Sequence, residues 1–272
     1  MAHTAQERYS KLVLAKLRSK SIYRALFNQR YEGNPTAGAV KIPVRDGEVA
    51  VQAYNKVSGV SLTQGSTTYI TLPIDQDFAV NELIDGFDAA AVPDNLVADR
   101  LDSAGYSLAL QTDGKLRTEL ITEGTALAST AAITKSNAYE QILDAISAAK
   151  KLHVNKSEMW LTVSSDVYNA LLKDTDHFVR STAMGDAVVL NGEVGRVDGV
   201  PVIEDVDFDV ADKVDFILGN RVFAHFVDEW SVPVGVQDLK DGAHIGASAV
   251  QGRRVYGKKI SRPTTILIKK HA

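Results

Sequence analysis

The stretch Gly38–Ile74, GAVKIPVRDGEVAVQAYNKVSGVSLTQGSTTYITLPI, decides the fold that this sequence predicts. Asp46-Gly47, between KIPVR and EVAVQ, is a dipeptide typical of a tight β-hairpin turn. Val49–Tyr54 and Thr67–Leu72 are rich in β-forming residues, and the polar sequence NKVSGVSLTQGS connects them. Two strands with so few large apolar residues bury little by themselves. We therefore expect an extended β-hairpin loop that packs on a neighbour, and another subunit could be that neighbour.

The segment before this loop is basic and has a helical pattern. Apolar residues recur at helical spacing through residues 5–27, and the breaker sequence EGNP follows. Residues 1–31 hold seven cations and one anion, so the rest of the chain carries −10 of a total charge of −4. A basic arm on an acidic body is more typical of partner binding than of catalysis, and Arg18, Lys20 and Arg24 are candidate contacts. A solvated amphipathic helix would have the same composition.

After the loop, the apolar spacing becomes helical. Val80, Leu83, Ile84 and Phe87 would form one stripe of a helix that begins near Asp75. A second helix follows Pro93, and about twenty residues at ~1.5 Å each would make it roughly 30 Å long. Residues 112–135 are small and polar, and we interpret them as a linker. The long helix would then be a strut between two parts of the chain.

The remaining residues predict a mixed domain. Asn137 and Glu140 have the spacing of a capping box, and MWLTV is a short buried strand followed by a helix that Ser164 or Ser165 could cap. A second Asp-Gly hairpin lies at Asp198-Gly199. Further strands are predicted in DFILGN, in RVFAHFV and at the C-terminal ILI sequence. The fold class is therefore α+β.

No residue pattern in the sequence points to catalysis. The chain has no cysteine, which excludes disulfides, thiolate nucleophiles and sulfur metal sites, and its six histidines are scattered. No phosphate-binding loop, nucleophile elbow or helical zinc spacing occurs. No apolar run approaches the roughly 18 residues that span a bilayer, and the N-terminus lacks a secretion signal. We expect no catalytic, cofactor-binding or metal-binding residues, no cofactor and no membrane partner.

Two charged runs each have two interpretations. The acidic run EDVDFDVAD lacks the glycine and glutamate of a calcium-binding loop, so a solvated strand edge is favoured, with Asp205, Asp207 and Asp209 on one face. The basic run RRVYGKKISR, which begins at Arg253 and Arg254, could contact phosphates. Its alternation with apolar residues favours a strand with a charged outer face. His225 lies in an apolar strand and is expected to be half-buried and hydrogen-bonded.

The order of elements resembles the major capsid proteins of tailed bacteriophages, whose shared architecture is called the Johnson fold. Three stretches carry the resemblance: the loop closing into YITLPIDQDFAVNELIDGFDAA, the hairpin GEVGRVDGVPVIEDVDF, and the C-terminal AVQGRRVYGKKISRP. The resemblance implies an N-terminal arm (1–37), an extended loop (38–74), a peripheral domain with a spine helix (75–124), an axial domain (125–240) and a return strand to the peripheral domain (241–272).

The resemblance also implies a function in assembly and not in catalysis. Subunits would form the pentamers and hexamers of an icosahedral shell around double-stranded DNA, which is bound without sequence specificity. The loop would lie over a neighbour through Lys56 and Val57, and Arg253 and Arg254 are further candidate contacts. Because only the arm precedes the loop, a separate scaffolding protein is expected, together with a portal. The location would be the virion, after assembly in the host cytoplasm.

Two other functions are compatible with the sequence. An encapsulin-type nanocompartment resembles the same fold but encloses enzymes. A small-molecule enzyme of the α+β class would need a pocket with converging titratable groups, and no such cluster is evident in the sequence.

Overall fold

A computed structural model describes residues 21–31, 38–45, 49–62, 64–87, 96–173, 193–208, 212–240 and 243–272. Its helices are α1 (Tyr23–Leu26), α2 (Leu96–Glu123), α3 (Ala138–Lys151) and α4 (Ser165–Lys173), with short 3₁₀ turns at Lys156–Glu158 and Pro263–Thr265. Its strands are β1 (Ala39–Arg45), β2 (Thr67–Pro73), β3 (Gln76–Ile84), β4 (Thr125–Ala126), β5 (Met159–Ser164), β6 (Glu193–Val197), β7 (Val200–Asp205), β8 (Val214–Asn220), β9 (Ala224–Asp238), β10 (Ser248–Ile260) and β11 (Leu267–Lys270).

The strands form three sheets. The largest has six strands in the order β4-β11-β8-β5-β7-β6, and its antiparallel and parallel pairings are mixed. A second sheet, β3-β10-β9, is antiparallel, and β1 and β2 form a separate antiparallel pair. The fold is therefore α+β, as the sequence predicts.

The two largest apolar cores of the described residues position the six-stranded sheet and the β3-β10-β9 sheet. Helices α3 and α4 cover the six-stranded sheet through residues such as Ile142, Ile146 and Leu171, all of them buried. The other core lies between the two larger sheets and α2, and it joins Trp160 of β5 to Phe226 of β9. Burial of large apolar side chains is the main favourable contribution to folding, so this second core holds the sheets together.

The long helix α2 extends further than the sequence predicts. The predicted linker begins at residue 112, but α2 continues to Glu123, and its 28 residues span about 42 Å. Leu116 and Leu120 are completely buried on this part of the helix, which favours the helical conformation. The hydroxyls of Thr112 and Thr118 bond the carbonyls of Leu108 and Gly114, so the polar residues are satisfied within the helix.

The helix predicted from Asp75 to Phe87 is wrong, because residues 76–84 form strand β3. Alternate residues of β3 turn inward, among them Phe78, Val80 and Ile84. Glu82 also lies on that face, where Arg100 of α2 pairs with it at 2.8 Å. This one charged residue interrupts the apolar alternation and made a helical period look better than a strand period.

Other predicted elements agree with the structure. The helix after Asn137, the MWLTV strand, the helix after Ser164 and the hairpin at Asp198-Gly199 are confirmed. The capping box is wrong, because the Asn137 side chain caps no helix amide and accepts the amide of Thr134 instead. The strand predicted at Val49–Tyr54 is wrong, since those residues form no strand and β1 pairs with β2. The turn at Asp46-Gly47 lies outside the described residues. The division into arm, loop, peripheral domain, axial domain and return strand stays a prediction.

Candidate assembly surface

The segment between β1 and β2 keeps its apolar side chains in solvent. Val51, Val57 and Leu62 have exposed fractions of 98%, 97% and 102%. Exposed apolar residues that cluster in one segment are characteristic of contact surfaces. We call residues 49–62 the loop surface, and its exposed apolar members are Val49, Val51, Tyr54, Val57, Val60 and Leu62.

A tight turn forms the tip of the loop surface. The Oδ1 atom of Asn55 accepts the amide of Val57 at 2.8 Å, and the amide of Gly59 donates to the carbonyl of Asn55 at 2.8 Å. Gly59 has a φ of +71°, a conformation that glycine adopts without a steric penalty. The candidate contacts Lys56 and Val57 therefore lie together at an exposed tip.

The base of the loop is anchored to the body of the protein. Ile42 of β1 and Leu72 of β2 are buried against Val227 of β9. Strand β10 approaches so closely that a Cβ atom at Gly257 would lie 2.5 Å from the carbonyl oxygen of Pro73. The loop surface is thus carried on a well-packed base while its tip remains uncovered.

The residues just before the loop have the opposite character. We call residues 21–28 the arm root. Tyr23 and Phe27 are completely buried in the core between the two larger sheets. The amide of Asn28 donates to the carbonyl of Ala224 at 2.7 Å, and the carbonyl of Asn28 accepts the amide of Phe226 at 3.0 Å. The expectation that the whole basic segment is an arm and not a core element is wrong for these residues.

Two buried carboxylates bind the arm root. Asp113 of α2 accepts the amides of Ile22 and Tyr23, each at 2.8 Å, and that of Arg24 at 3.3 Å. Asp205, at the end of β7, accepts the Tyr23 hydroxyl at 2.6 Å. Burial raises the pKa of Asp113, and the backbone hydrogen bonds oppose that rise only in part. Burial and the charge of Asp205 raise the pKa of the Tyr23 phenol, which keeps it a hydrogen-bond donor.

The position of Asp205 corrects the interpretation of the acidic run as a solvated edge. Its side chain is 4% exposed and pairs with Arg117 of α2 at 3.3 Å. Strand β7 ends at Asp205, and the amide of Asp207 donates to its carboxylate at 2.9 Å. Asp207 therefore does not continue a strand face, and Asp209 lies outside the described residues.

The structure brings two of the candidate cations together. Arg24 and Arg254 both bond Asp228, at 2.6 Å and 2.7 Å, and both guanidinium groups lie over the ring of Phe226. Arg253 lies apart from them, bonded to Asp77 at 2.8 Å and placed over Trp230. That bond lowers the pKa of Asp77. All three arginines are thus engaged within the subunit, while Arg18 and Lys20 lie outside the described residues.

The other lysines of the basic run have partners on α2. Lys258 pairs with Glu119, and Lys259 with Glu123 at 3.4 Å. The strand that the favoured interpretation predicts is confirmed by β10, but a charged outer face is wrong for Arg254 and Lys258, whose side chains are only 14% exposed. These pairs tie β10 to α2, which gives the charges of the run a role within the subunit.

His225 of β9 is more deeply buried than the sequence suggests. Its exposed fraction is 3%, and its Nε2 atom lies 2.9 Å from the Ser261 hydroxyl, while Nδ1 is buried without a hydrogen-bond partner. Burial lowers the pKa of His225 to about 4. The ring of Tyr31 packs edge-on against the imidazole. An isolated β-bridge pairs His225 with Asn28, which places this histidine beside the arm root.

Sequence reasoning missed Asp113 and Tyr23, the residues that attach the arm root. Asp113 occurs in TDGK, a sequence typical of turns, and Tyr23 is the only aromatic residue of α1. Asp113, Arg117 and Leu120 have the spacing of one helix face. This spacing could have predicted that the Asp113 carboxylate lies beside a buried leucine.

The described residues contain no group of three His, Cys, Asp or Glu side chains placed to hold a metal ion. Helices in the described part of the chain lack the combination of length and apolar character that crossing a bilayer requires. The expectation that the chain has no catalytic, cofactor-binding or metal-binding residues stays a prediction.

Comparison with solved structures finds the same architecture in several phage structures. A structure from Mycobacterium phage Che8 matches with a TM-score of 0.75 and 24% identity, covering 97% of this chain and 96% of that one. The capsid structure of the cyanophage P-SCSP1u matches with a TM-score of 0.77 and 12% identity, covering 98% and 93%. The mature capsid of bacteriophage PhiM1 gives a TM-score of 0.74 and 14% identity, covering 99% and 92%.

No protein-family model and no curated protein sequence matches the chain. The structural matches cover nearly the whole chain at low identity, so they establish the fold. The protein has the fold of phage capsid subunits, and the resemblance noted in the sequence is confirmed at that level.

Proposed function

We propose that this protein is the major capsid subunit of a tailed bacteriophage and that copies of it assemble into an icosahedral shell. The observation that carries the proposal is the loop surface, a segment of six exposed apolar side chains on an anchored base. Exposed apolar side chains that cluster in one segment are typical of contact surfaces, and a shell subunit needs such a segment to cover its neighbour. The fold shared with phage capsid structures supports the same function.

The energetics of the loop surface fit a shell better than a dimer. Full burial of one valine or leucine side chain contributes about 1.5–3 kcal/mol, so Val51, Val57 and Leu62 together would contribute roughly 5–9 kcal/mol. Association costs on the order of 4–15 kcal/mol in lost motional freedom. A single loop contact therefore does little more than offset that cost. A closed shell, in which each subunit makes several such contacts, gains much more.

The proposed subunit would have three kinds of partner besides itself: packaged double-stranded DNA, a separate scaffolding protein and a portal. The five-part division into arm, loop, peripheral domain, axial domain and return strand belongs to it as well. The virion would be the final location, with assembly in the host cytoplasm. The subunit would act through contacts and not through catalysis.

A triple variant of the loop surface tests the proposal. Val51→Ser, Val57→Ser and Leu62→Ser together should leave the subunit folded, because these side chains contact solvent, but should abolish closed particles in negative-stain electron microscopy. The control is Val51→Ile, Val57→Ile and Leu62→Met, which keeps the surface apolar and should still form particles. A wild-type chain that stays monomeric at high concentration, alone and with co-expressed scaffolding protein, would refute the proposed function.

A further inference from the structure

The three-stranded sheet has β9 at one edge and β3 at the other, and the β9 edge is protected. The amide and carbonyl of Asn28 bond Ala224 and Phe226 at the start of β9. Further along, Pro233 removes a backbone donor, and two bulges interrupt the pairing of β9 with β10. Proline and bulges both hinder the addition of another strand. The β9 edge is therefore covered at its start and protected along the rest.

The β3 edge has neither form of protection. All nine residues of Gln76–Ile84 pair with β10 in one continuous register, and none of them is proline. On the other side of β3, no backbone hydrogen bond leads to any residue that the structure describes. Every second residue of an edge strand points its N–H and C=O groups away from the sheet. Strand β3 therefore offers a template for one further strand.

Charged side chains can also protect an edge, and β3 has two of them. Asp77 bonds Arg253 of β10 at 2.8 Å, and Glu82 pairs with Arg100 of α2 at 2.8 Å. Both carboxylates are thus neutralised within the subunit. An uncharged, strand-forming segment is the kind of partner that fits this edge.

The chain itself contains such a segment in the loop surface. Residues 49–54, VAVQAY, carry no charge and have a β-forming sequence, yet they form no strand in their own subunit. Their backbone makes no hydrogen bond to another residue of the described ranges. At ~3.4 Å each, six residues extend about 20 Å, which is shorter than the nine residues of β3.

The side chains of this segment also suit β3. Val49 and Val51 alternate, so in a strand both would lie on one face. Phe78 and Val80 form an apolar row on the inward face of β3, and this row is only half-buried. An added strand would cover that row with its two valines.

We propose that residues 49–54 of a second copy of this chain add as a strand to the β3 edge. Backbone hydrogen bonds would then join the two subunits in addition to the apolar contacts of the loop surface. The inference rests on the proposed function, because the partner is another copy. It gives the β-forming sequence of the loop the pairing that its own subunit does not provide.

Cysteine cross-linking in assembled particles tests which segment lies on β3, because the natural chain has no cysteine. Two cysteines form a disulfide only when their Cα atoms lie within about 7 Å. The test combines Ala50→Cys, or in a second series Val51→Cys, with one cysteine at an exposed position of β3: Ala79, Asn81 or Leu83. Neighbours in a strand face opposite sides, so only one series should cross-link, and we expect that of Ala50.

Non-reducing gels of the oxidised particles separate the outcomes, with single-cysteine variants as controls. Dimers and larger ladders in the Ala50 series, but not in the controls, support the proposal. A monomer of altered mobility would mean that the loop folds back on its own subunit, which overturns it. Equal cross-linking of the two series, or none in either, overturns strand addition as well.

A proline variant tests the backbone bonds independently. Ala50→Pro with Ala53→Pro removes two amides of opposite orientation, so one of the two lost donors faces β3 whatever the register. The subunit should stay folded, because these amides are unpaired in it. The lowest concentration that gives particles in light scattering should rise at least roughly fivefold. Ala50→Ser with Ala53→Ser keeps both amides and should assemble like the wild type.

The two inferences fail in different ways. Equal assembly of the proline and serine variants overturns strand addition and leaves the proposed function intact. If the wild type forms no particles, the proposed function fails, and cross-linking of the concentrated subunit still decides whether two copies pair through this edge.

Discussion

The loop surface and the arm root are close in sequence and have opposite environments. Residues 49–62 expose six apolar side chains, whereas Tyr23 and Phe27 of residues 21–28 are completely buried. From the sequence, both segments were expected to need neighbours. The structure separates them: the arm root is part of the subunit's own core, and the loop surface remains available to another copy.

This difference shows that apolar content alone does not identify a contact surface. What matters is whether the subunit offers a complementary environment. The arm root finds one, because α2 offers Asp113 and the two larger sheets leave room for two aromatic rings. The loop surface projects from its base beyond such an environment. The same residue types therefore stabilise the subunit in one region and are free to stabilise an assembly in the other.

The largest effect is expected from Phe27→Ala in the arm root. Phe27 is completely buried, and its replacement would leave a cavity in the core between the sheets. Truncation of such a side chain costs about 3–5 kcal/mol in the free energy of unfolding. Urea unfolding followed by tryptophan fluorescence would measure the loss, because Trp160 belongs to the same core.

The matched control for this variant is Phe87→Ala, because Phe87 is 80% exposed. Its free energy of unfolding should change by no more than about 0.5 kcal/mol. Equal losses for the two phenylalanines would contradict the contrast between the regions, and the arm root would then be as dispensable to the subunit as an exposed side chain.

The second-largest effect is expected from a change in pH, which acts on His225 beside the arm root. Burial lowers the pKa of His225 from 6.5 to about 4. Between those values the unfolded chain binds a proton that the folded chain does not, so stability is full above about pH 6.5 and falls as the pH drops toward 4. The loss attributable to this residue is at most about 3 kcal/mol.

Comparing unfolding at pH 7 and pH 4.5 in the wild type and in His225→Gln isolates this contribution. Asp113 and Asp215, whose pKa values burial raises, act with the opposite sign, but they titrate alike in both proteins and cancel in the difference. The wild type should lose more stability than the variant, while His244→Gln, at an exposed position, should behave like the wild type. Parallel losses in all three proteins would mean that His225 is not held neutral by burial.

The sequence predicted best those elements whose signals are local. The helix after Asn137 and the MWLTV strand follow directly from apolar spacing. Strand β3 was missed because Glu82 interrupts its alternation and pairs with Arg100, a residue on a helix that follows later in the chain. The sequence of β3 alone does not indicate that Glu82 pairs with Arg100.

The candidate site divides in the same way. The exposure of Lys56 and Val57 could be predicted, since a turn sequence between weak strands has little to pack on. The burial of Asp205 and the role of Asp113 could not, because their partners Tyr23 and Ile22 lie 182 and 91 positions away. Contacts over such distances depend on how the two larger sheets meet, and a sequence pattern does not encode that arrangement locally.

The smallest effect on the free energy of unfolding is expected from substitutions that remove one positive charge from either region. Arg24→Gln removes a half-exposed ion pair with Asp228, which typically contributes about 0.2–1 kcal/mol and is screened by salt. The loss should be at the low end, because Asp228 keeps both of its bonds from Arg254, at 2.8 Å and 2.7 Å. Lys56→Gln, at the tip of the loop surface, should leave the free energy of unfolding unchanged.

Measurements of the free energy of unfolding at low and high salt, together with particle yield, show whether Arg24 and Lys56 each stabilise the subunit or contact a partner in the shell. If Arg24 serves the subunit alone, Arg24→Gln lowers stability slightly at low salt and leaves particle yield intact. A drop in particle yield without a change in stability would instead show that Arg24 meets a partner in the shell, as the sequence suggested. Lys56→Gln should affect particles only, since nothing in the described part of its own subunit covers that tip. A loss of stability there would mean that the loop surface packs on the body in solution.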